Sequence, residues 1–239
     1  MSERYFLDEP ISRGRVVLAG PEAHHLIHVM RATPGLRVVL FDGGGCEFPA
    51  VVQNVGRSEV ELDVLSQEQV DRELPLDLTL GVALPKGDRQ RWLVEKAVEL
   101  GVTRIVPLRT QRGVAQPAEQ SLARLRRAVV EASKQCGRNR LLQIDEPQPW
   151  PSFIQTAADV PCRLLAQPNG FHTSTNLPLS GQRPDRVLLA IGPEGGFTDD
   201  EVASALSAGW HTVDLGPRIL RVETAAIVLA AIIAERFAR

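Results

Sequence analysis

A glycine-rich segment after an apolar run is the first candidate for binding chemistry. Residues 187–191 read VLLAI, and residues 192–196 read GPEGG. The missing side chains at Gly192, Gly195 and Gly196 would let a ligand approach the main chain closely, whereas an ordinary turn from strand to helix needs only one glycine. The segment is neither GxGxxG nor a P-loop, and it contains an acid, which disfavours a phosphate cradle. The sequence therefore predicts a ligand held through adenine and ribose.

A second glycine turn lies in residues 215–224, LGPRILRVET. A predicted strand ends at Gly216, and Arg218, Arg221 and Glu223 crowd the start of the next helix. Ligands in open α/β sheets bind at the carboxyl ends of the strands, so we expect both glycine turns to line one pocket. Residues 225–234 are apolar around the whole helix, which must therefore be covered on all sides, by the core or by a partner subunit.

Charge is unevenly distributed along the chain. Residues 104–140 contain nine Lys or Arg and two acids, a local net charge of +7, whereas residues 59–77 contain seven acids and one arginine, a local net of −6. A basic segment beside an acidic one indicates a face that binds a polyanion such as nucleic acid. A solvated helix surface is the alternative interpretation.

Two further segments carry polar groups ahead of predicted helices or within them. In PKGDRQR, residues 85–91, Lys86 and Arg89 could contact phosphates, and a solvated first helical turn is the alternative. In HHLIHVMR, residues 24–31, His24 and His28 share a helix face as metal ligands do. No Glu, Asp or Cys nearby completes a site and the order is not HExxH, so we favour core packing with a polar contact to RNA and expect no metal.

The elements that would position these residues fall into two groups. The first part of the chain is rich in strand patterns and predicts a small β-barrel. It has strands at 15–18, 36–41, 47–55 and 59–65, a turn at 42–45 and one helix at 21–29. Residues 67–75, QEQVDRELP, are polar and predict a linker.

From residue 76, apolar strands alternate with helices, which predicts a parallel sheet covered on both faces. The strands are expected at 76–84, 104–108, 141–144, 162–166, 187–191 and 212–215, and the helices at 88–100, 117–136, 199–208 and 222–237. Thr198 and Glu201 are spaced as a capping box. We therefore predict one domain over residues 1–70 and a second over 76–239.

The bulk composition excludes some protein classes. The chain has 239 residues and a net charge of −2. Its three cysteines, Cys46, Cys136 and Cys162, are far apart and form no CxxC, which favours a reducing compartment and no zinc site. The N-terminus has no apolar signal segment, and the longest apolar run is shorter than the roughly 20 residues that a membrane span needs. We expect a cytoplasmic protein.

Seven segments together resemble a known family. They are RYFL, HHLIHVMR, LFDGGG, PKGDRQRWLVEKAVELGV, EASKQCGR, IGPEGGFTDDE and LGPRILRVETA. Their joint order and spacing are similar to those of the 16S rRNA (uracil(1498)-N(3))-methyltransferase family, within the SPOUT class, over nearly the full length. Val222 stands where the family usually has Thr, and Met30 where it usually has Leu.

The resemblance implies a fold and a cofactor. It implies a small N-terminal PUA-like β-barrel and a C-terminal α/β domain with a SPOUT-type parallel sheet and a deep trefoil knot. It also implies a homodimer that binds S-adenosylmethionine. The implied cofactor-binding residues are Ala166, Gly192, Pro193, Glu194, Gly195, Gly196, Leu215, Gly216, Ile219, Leu220 and Thr224.

The resemblance also implies that the substrate is 16S rRNA. We expect this RNA to be modified within the assembled small ribosomal subunit. The residues expected to contact RNA are Arg4, His24, Arg31, Lys86, Arg89, Arg138 and Arg140. Methylation at uracil N3 needs a proton to leave, and a cation would stabilise the negative charge that develops. Arg221 is the first choice for that cation, and Glu194, Glu223 or water could orient it or accept the proton.

Three other functions stay open from the sequence. One is a SPOUT methyltransferase that acts on tRNA or on another base. Another is a non-catalytic RNA-binding protein that retains the fold. A nicotinamide dehydrogenase is more distant, because no dinucleotide-binding fingerprint is present.

Overall fold

A computed structural model describes residues 3–113, 119–156, 158–173, 175–178 and 183–237. Their contacts separate the chain into two units. Unit 1 consists of Met1–Glu73 and Ser133–Leu141, and unit 2 consists of Leu74–Ala132 and Leu142–Arg239. Unit 1 is therefore formed by two separate segments of the chain. A single boundary at a linker would assign the second segment, Ser133–Leu141, to the other unit.

Unit 1 is built on a sheet in the order β1-β3-β4-β5-β2, with β6 paired to β4. Its strands are β1 (Arg4–Phe6), β2 (Gly14–Leu18), β3 (Arg37–Phe41), β4 (Cys46–Val55), β5 (Val60–Val64) and β6 (Glu68–Gln69). The four predicted strands are present. Alternate residues of β5, namely Val60, Leu62 and Val64, are buried, as the two-residue repeat of a strand with one covered face requires.

The single helix expected over 21–29 has two geometries. Gly20–His24 is an α-helix, α1, with Pro21 in its first turn, and His25–Val29 continues it as a π-helical turn. Proline is favoured in the first turn because an N–H at that position would have no acceptor within the helix, so its absence costs no hydrogen bond. Leu26 and Ala23 point into the core of unit 1, where they join Tyr5 and Leu40.

The predicted linker is structured within unit 1 as far as Glu73. Residues 68–69 form β6, the Val70 carbonyl accepts a hydrogen bond from Asn139 Nδ2 at 2.9 Å, and Glu73 pairs with Arg138. These residues are therefore part of unit 1, where the sequence predicted a linker. Their partners are distant in sequence, since β6 pairs with Cys46 and Glu47 and the partners of Val70 and Glu73 lie more than sixty positions away, so no local pattern could reveal them.

Unit 2 contains a sheet in the order β10-β8-β7-β13-β11-β14-β12, with β9 paired to β8. All of its described pairings are parallel. The strands are β7 (Asp77–Val82), β8 (Arg104–Arg109), β9 (Gln143–Ile144), β10 (Gln148–Pro149), β11 (Cys162–Ala166), β12 (His172–Thr173), β13 (Arg186–Ile191) and β14 (His211–Asp214). This confirms the predicted parallel sheet.

Five helices accompany these strands in the described residues. They are α2 (Arg89–Glu99), α3 (Glu119–Cys136), α4 (Trp150–Thr156), α5 (Asp199–Ser207) and α6 (Val222–Phe237). Residues 117 and 118, which we expected to begin α3, lie outside the described residues. Ser133 and the residues after it in α3 belong to unit 1 by their contacts. No helix in the described part of the chain is long and apolar enough to cross a bilayer.

Helix α4 was not predicted, yet it anchors the core beside the first glycine turn. Trp150 stacks at 4.5 Å between ring centroids on Phe197 and lies 5.9 Å from Trp210. Its Nε1 donates a hydrogen bond to the Glu201 carbonyl at 3.1 Å. Because Phe197 directly follows the GPEGG segment, this aromatic cluster fixes one end of that loop.

Helix α6 is only partly covered. Its buried residues, among them Ala226, Leu229 and Ile233, follow the helical repeat on one face. Ile227, Val228 and Ile232 on the other side keep intermediate exposure. The core of the chain therefore buries one face of α6 and leaves the opposite face partly exposed.

A charged cluster in unit 1 generates a test of stability against pH. Glu47 accepts hydrogen bonds of 2.6 Å from both Arg4 and Arg72. Burial raises the pKa of Glu47, but the hydrogen bonds from Arg72 and Arg4 and their charges outweigh it, so the pKa lies below its ordinary value of 4.5. Stability from this cluster is therefore present above that value and is lost as the pH falls through the folded pKa.

We expect Glu47→Gln to lower the free energy of unfolding at neutral pH by about 2 kcal/mol, because two arginines lose their counter-charge. The variant should also lose less stability than the parent protein on acidification, measured by urea unfolding across the acid range. Glu61→Gln is the matched control, since Glu61 pairs at 3.6 Å with the exposed Arg15 and should change stability by less than about 1 kcal/mol. Equal acid dependence of Glu47→Gln and the parent would contradict this account.

Candidate functional site

A cavity of about 570 Å³ lies where three neighbouring strands of unit 2 end. Ala166, the last residue of β11, is in register with Ile191 on β13 and Val213 on β14. The loops that leave these strands therefore start at one level of the sheet, and residues of all three loops line the cavity. Its volume is in the range of small-molecule sites, about 300–1,000 Å³.

The cavity is lined by every residue of the predicted cofactor set except Thr224. The two glycine turns thus meet, as the sequence reasoning required. Reasoning from sequence missed Gln167, Asn169 and Asp214, which lie within three residues of the ends of β11 and β14 and could have been found from that position alone. It also missed Arg112, which comes from the loop after β8 and carries no local signal.

The glycines of the two turns have different roles. Gly196 and Gly216 have φ angles of 69° and 112°, and a Cβ on either would meet no atom within 4 Å. Such conformations disfavour other residues, and a side chain there would enter open space beside the cavity. A Cβ on Gly192 would instead lie 3.0 Å from the Phe197 ring. Packing against Phe197 therefore requires a glycine at position 192, and the approach of a ligand that we expected there stays a prediction.

The first glycine turn is fastened at both sides. The predicted capping box is present: the Glu201 N–H donates to Thr198 Oγ1 at 3.3 Å, and the Thr198 N–H donates to Glu201 Oε2 at 2.9 Å. Glu201 is buried, and its Oε1 also accepts from the Gln111 N–H at 2.8 Å. Arg112 donates from Nη1 to the Gly195 carbonyl at 2.9 Å. The loop after β8 therefore holds the turn from outside.

The predicted catalytic residues are divided between the cavity and its margin. Glu194 lines the cavity and is half exposed. Arg221 is exposed and lies between two lining residues, Leu220 and Val222, without lining the cavity itself. Glu223 is buried and does not line the cavity. The arginines that do line it are Arg112 and Arg218.

Arg89 joins two of these carboxylates. Its Nη2 lies 3.1 Å from Glu194 Oε1, and its Nη1 lies 3.5 Å from Glu223 Oε2. We expected Arg89 to bind RNA phosphates. In the structure its guanidinium is engaged by protein carboxylates instead.

Two more of the predicted RNA-contacting residues are occupied inside unit 1. Arg4 bonds to Glu47 and to Asn139 Oδ1, both at 2.6 Å, and Arg138 is 3% exposed and pairs with Glu73. We therefore correct the expectation that these two arginines contact phosphates, because their guanidiniums are buried against carboxylates. The charge count could not show this, since the partners are distant in sequence. The remaining members, His24, Arg31, Lys86 and Arg140, are exposed.

The histidine pair considered as metal ligands has no third ligand among the described residues. The rings of His24 and His28 are 4.6 Å apart. Within the described ranges, no three His, Cys, Asp or Glu residues come together as a metal-binding group. Burial also raises the pKa of the Cys162 thiol to about 12, so that sulfur stays protonated.

Comparisons with known proteins assign the sequence to a family. A model of the RNA methyltransferase domain matches residues 72–234, and a model of the RNA methyltransferase PUA domain matches residues 18–65. A ribosomal RNA small subunit methyltransferase E from Synechocystis sp. is 34% identical over 93% of this chain and 74% of its own length. Its counterpart from Bacillus subtilis is 29% identical over 87% of this chain and 85% of its own length.

Solved structures agree over almost the whole chain. Ribosomal RNA small subunit methyltransferase E from Neisseria gonorrhoeae, bound to S-adenosyl methionine, has a TM-score of 0.89 and 30% identity, covering 99% of this chain and 98% of that one. A methyltransferase from Legionella pneumophila in complex with the same cofactor gives the same values. The expected SPOUT-type α/β fold with a PUA-like N-terminal part is confirmed, and the trefoil knot stays a prediction. The matched ranges show that the chain belongs to the RNA methyltransferase family, with the PUA domain found in those enzymes.

Proposed function

We propose that this protein methylates N3 of a uridine in the 16S rRNA of the small ribosomal subunit, with S-adenosylmethionine as methyl donor. One observation carries the proposal. Two glycine turns meet in a cavity at the ends of neighbouring strands, in a chain that aligns from end to end with an S-adenosyl methionine complex of ribosomal RNA small subunit methyltransferase E.

The residues of the cavity fit this donor. Gly196 and Gly216 leave open space beside their main chains, so the flat adenine and the ribose can lie close to the loops. Asp214 and Glu194 line the cavity with carboxylates that can accept hydrogen bonds from the hydroxyl or amino groups of the donor. Arg112 and Arg218 line it with cations that can bind the carboxylate of the donor. When bound, the donor supplies a methyl group on a sulfonium, ready for in-line transfer.

The residues of this chain have three tasks in the reaction. The loops orient donor and acceptor, which alone lowers a barrier by several kcal/mol in favourable cases, up to about 7–11. A cation stabilises the charge that spreads over the uracil when its N3 proton leaves, and Arg221, beside the cavity and exposed, is our choice. Arg221 cannot take the proton because a guanidinium stays protonated. Glu194 is better placed than Glu223 to accept it, because only Glu194 lines the cavity; water is the other candidate.

Exposed basic side chains offer the means to hold RNA phosphates. On α3, Arg124 and Arg127 are exposed, while Leu125 and Ala128 are buried on the other face. Arg140 in unit 1 and Lys86 in unit 2 are also exposed. We propose that these residues, with His24 and Arg31, carry the phosphate contacts expected from the sequence.

We further propose a cytoplasmic homodimer that acts on the assembled small subunit. The partly exposed apolar side of α6 supports a second copy as its cover, because apolar surface left exposed commonly marks an interaction site.

Methylation assays with three substrates test the function. The protein is incubated with S-adenosylmethionine and either small subunits that lack the modification, free 16S rRNA or tRNA, and nucleosides are identified by mass spectrometry. We expect 3-methyluridine in the small subunits. Modification of tRNA alone would favour another SPOUT activity, and binding of RNA without any methylation would favour a non-catalytic protein.

Replacing Arg221 tests the proposed cation. We expect Arg221→Ala to bind S-adenosylmethionine with little change but to lose about 100-fold or more in the rate of methyl transfer, as loss of an oxyanion-stabilising group does. Arg218→Ala, on the same loop, is the comparison. Normal turnover by Arg221→Ala together with loss of turnover in Arg218→Ala would move the role to Arg218.

A further inference from the structure

Arg89 is the point at which three loops of unit 2 meet. It is the first residue of α2 and follows β7, while Glu194 follows β13 and Glu223 lies in the first turn of α6 after β14. Strands β7 and β13 are neighbours in the sheet, so a side chain from the first loop reaches the second. Its two terminal nitrogens face different carboxylates, at 3.1 Å and 3.5 Å.

The two carboxylates differ in their access to water. The side chain of Glu194 is 53% exposed, whereas that of Glu223 is 8% exposed. Glu223 Oε2 is buried and has no hydrogen-bond partner in the described part of the chain. A buried carboxylate without compensation is unfavourable, and the ends of the α6 peptide dipoles provide only part of that compensation. Arg89 is the cation that compensates Glu223.

The same guanidinium therefore determines where the Glu194 carboxylate stands at the cavity wall. Glu194 belongs to a loop with three glycines, and Arg112 bonds to the Gly195 and Phe197 carbonyls of that loop, not to the Glu194 side chain. Among the described residues, Arg89 is the one side chain that bonds to the Glu194 carboxylate and holds it beside the start of α6. A planar guanidinium can bridge two carboxylates in a fixed geometry, which the point charge of a lysine does less well.

We propose that Arg89 is a positioning residue of the methyl-transfer site: by bridging Glu194 and Glu223 it fixes the carboxylate that faces the reacting base. This role replaces the phosphate contact predicted from the sequence. It rests on the proposed function, since the step that it supports is the methylation of uridine.

Kinetics of Arg89→Gln, Arg89→Lys and the control Arg91→Gln test this role. Arg91 is on the same helix, and its side chain is 68% exposed. Among the described residues it forms an ion pair with Glu95 alone. We expect Arg89→Gln to lower kcat by about 10- to 100-fold through misplacement of the carboxylate, with the KM for RNA changed less than about twofold. Arg89→Lys should restore part of kcat, and Arg91→Gln should match the parent protein.

The double background Glu194→Gln/Glu223→Gln separates a positioning role from an RNA contact. If Arg89 acts through the two carboxylates, adding Arg89→Gln to that background changes kcat by less than about twofold, because residues in one network are not additive. If Arg89 binds a phosphate, the KM for RNA rises in both backgrounds and its salt dependence weakens, which would overturn the proposal.

A measurement without substrate keeps this proposal distinct from the proposed function. In amide ¹H–¹⁵N spectra, Arg89→Gln should shift the resonances of Gly195, Gly196 and Thr224, and Arg91→Gln should leave them in place. Unmoved resonances in Arg89→Gln would contradict the bridge. Absence of methylation by the parent protein, with the resonances shifted, would contradict the function and leave the bridge standing.

Discussion

The site depends on the level at which three parallel strands stop. Because Ala166 is paired with Ile191 on one side and with Val213 on the other, β11, β13 and β14 end together and their following loops leave the sheet side by side. Parallel strands require a crossover between successive members, so the segments that line the cavity are far apart in sequence. A shift of one strand along its neighbour would separate the glycine turns and remove the cavity.

Several arginines of this protein stabilise its structure by binding carboxylates or main-chain carbonyls of distant segments. In unit 1, Arg4, Arg72 and Arg138 pair with Glu47 and Glu73 and hold the segment Ser133–Leu141 against the rest of that unit. In unit 2, Arg89 and Arg112 hold the turn that follows β13. The buried pairs Arg4–Glu47 and Arg138–Glu73 are costly to break because one charge is left without compensation. The cations that remain for RNA are the exposed ones.

The sequence predicts those parts of the fold whose cause is local. The apolar runs of β7 and β13 are buried along nearly their whole length, which is the pattern of a parallel sheet covered on both faces. The capping box of Thr198 and the glycine turns could also be predicted from the sequence, because each depends on residues a few positions apart. The resemblance to a family supplied the cofactor and the substrate, which periodicity and composition could not.

What the sequence did not predict depends on distant contacts. Helix α4 has seven residues, too few for a clear periodic pattern, and its aromatic side chains gain their place from Phe197 and Trp210. The ion pairs that hold the guanidiniums of Arg4, Arg89 and Arg138 against carboxylates join segments that only the folded chain brings together. The packing of the Phe197 ring against Gly192, which requires a glycine there, was likewise not predicted.

Calorimetric titration with S-adenosylmethionine tests the central claim, that main-chain groups of the two glycine turns hold this donor. We expect the parent protein to bind one molecule of the donor per chain. Gly196→Ala should bind it about tenfold or more weakly, because its Cβ would enter the space beside the loop. Gly20→Ala, at a similar φ of 64° in unit 1, carries comparable backbone strain and should bind normally. No heat from the parent protein, or equal affinity in Gly196→Ala, would contradict the account.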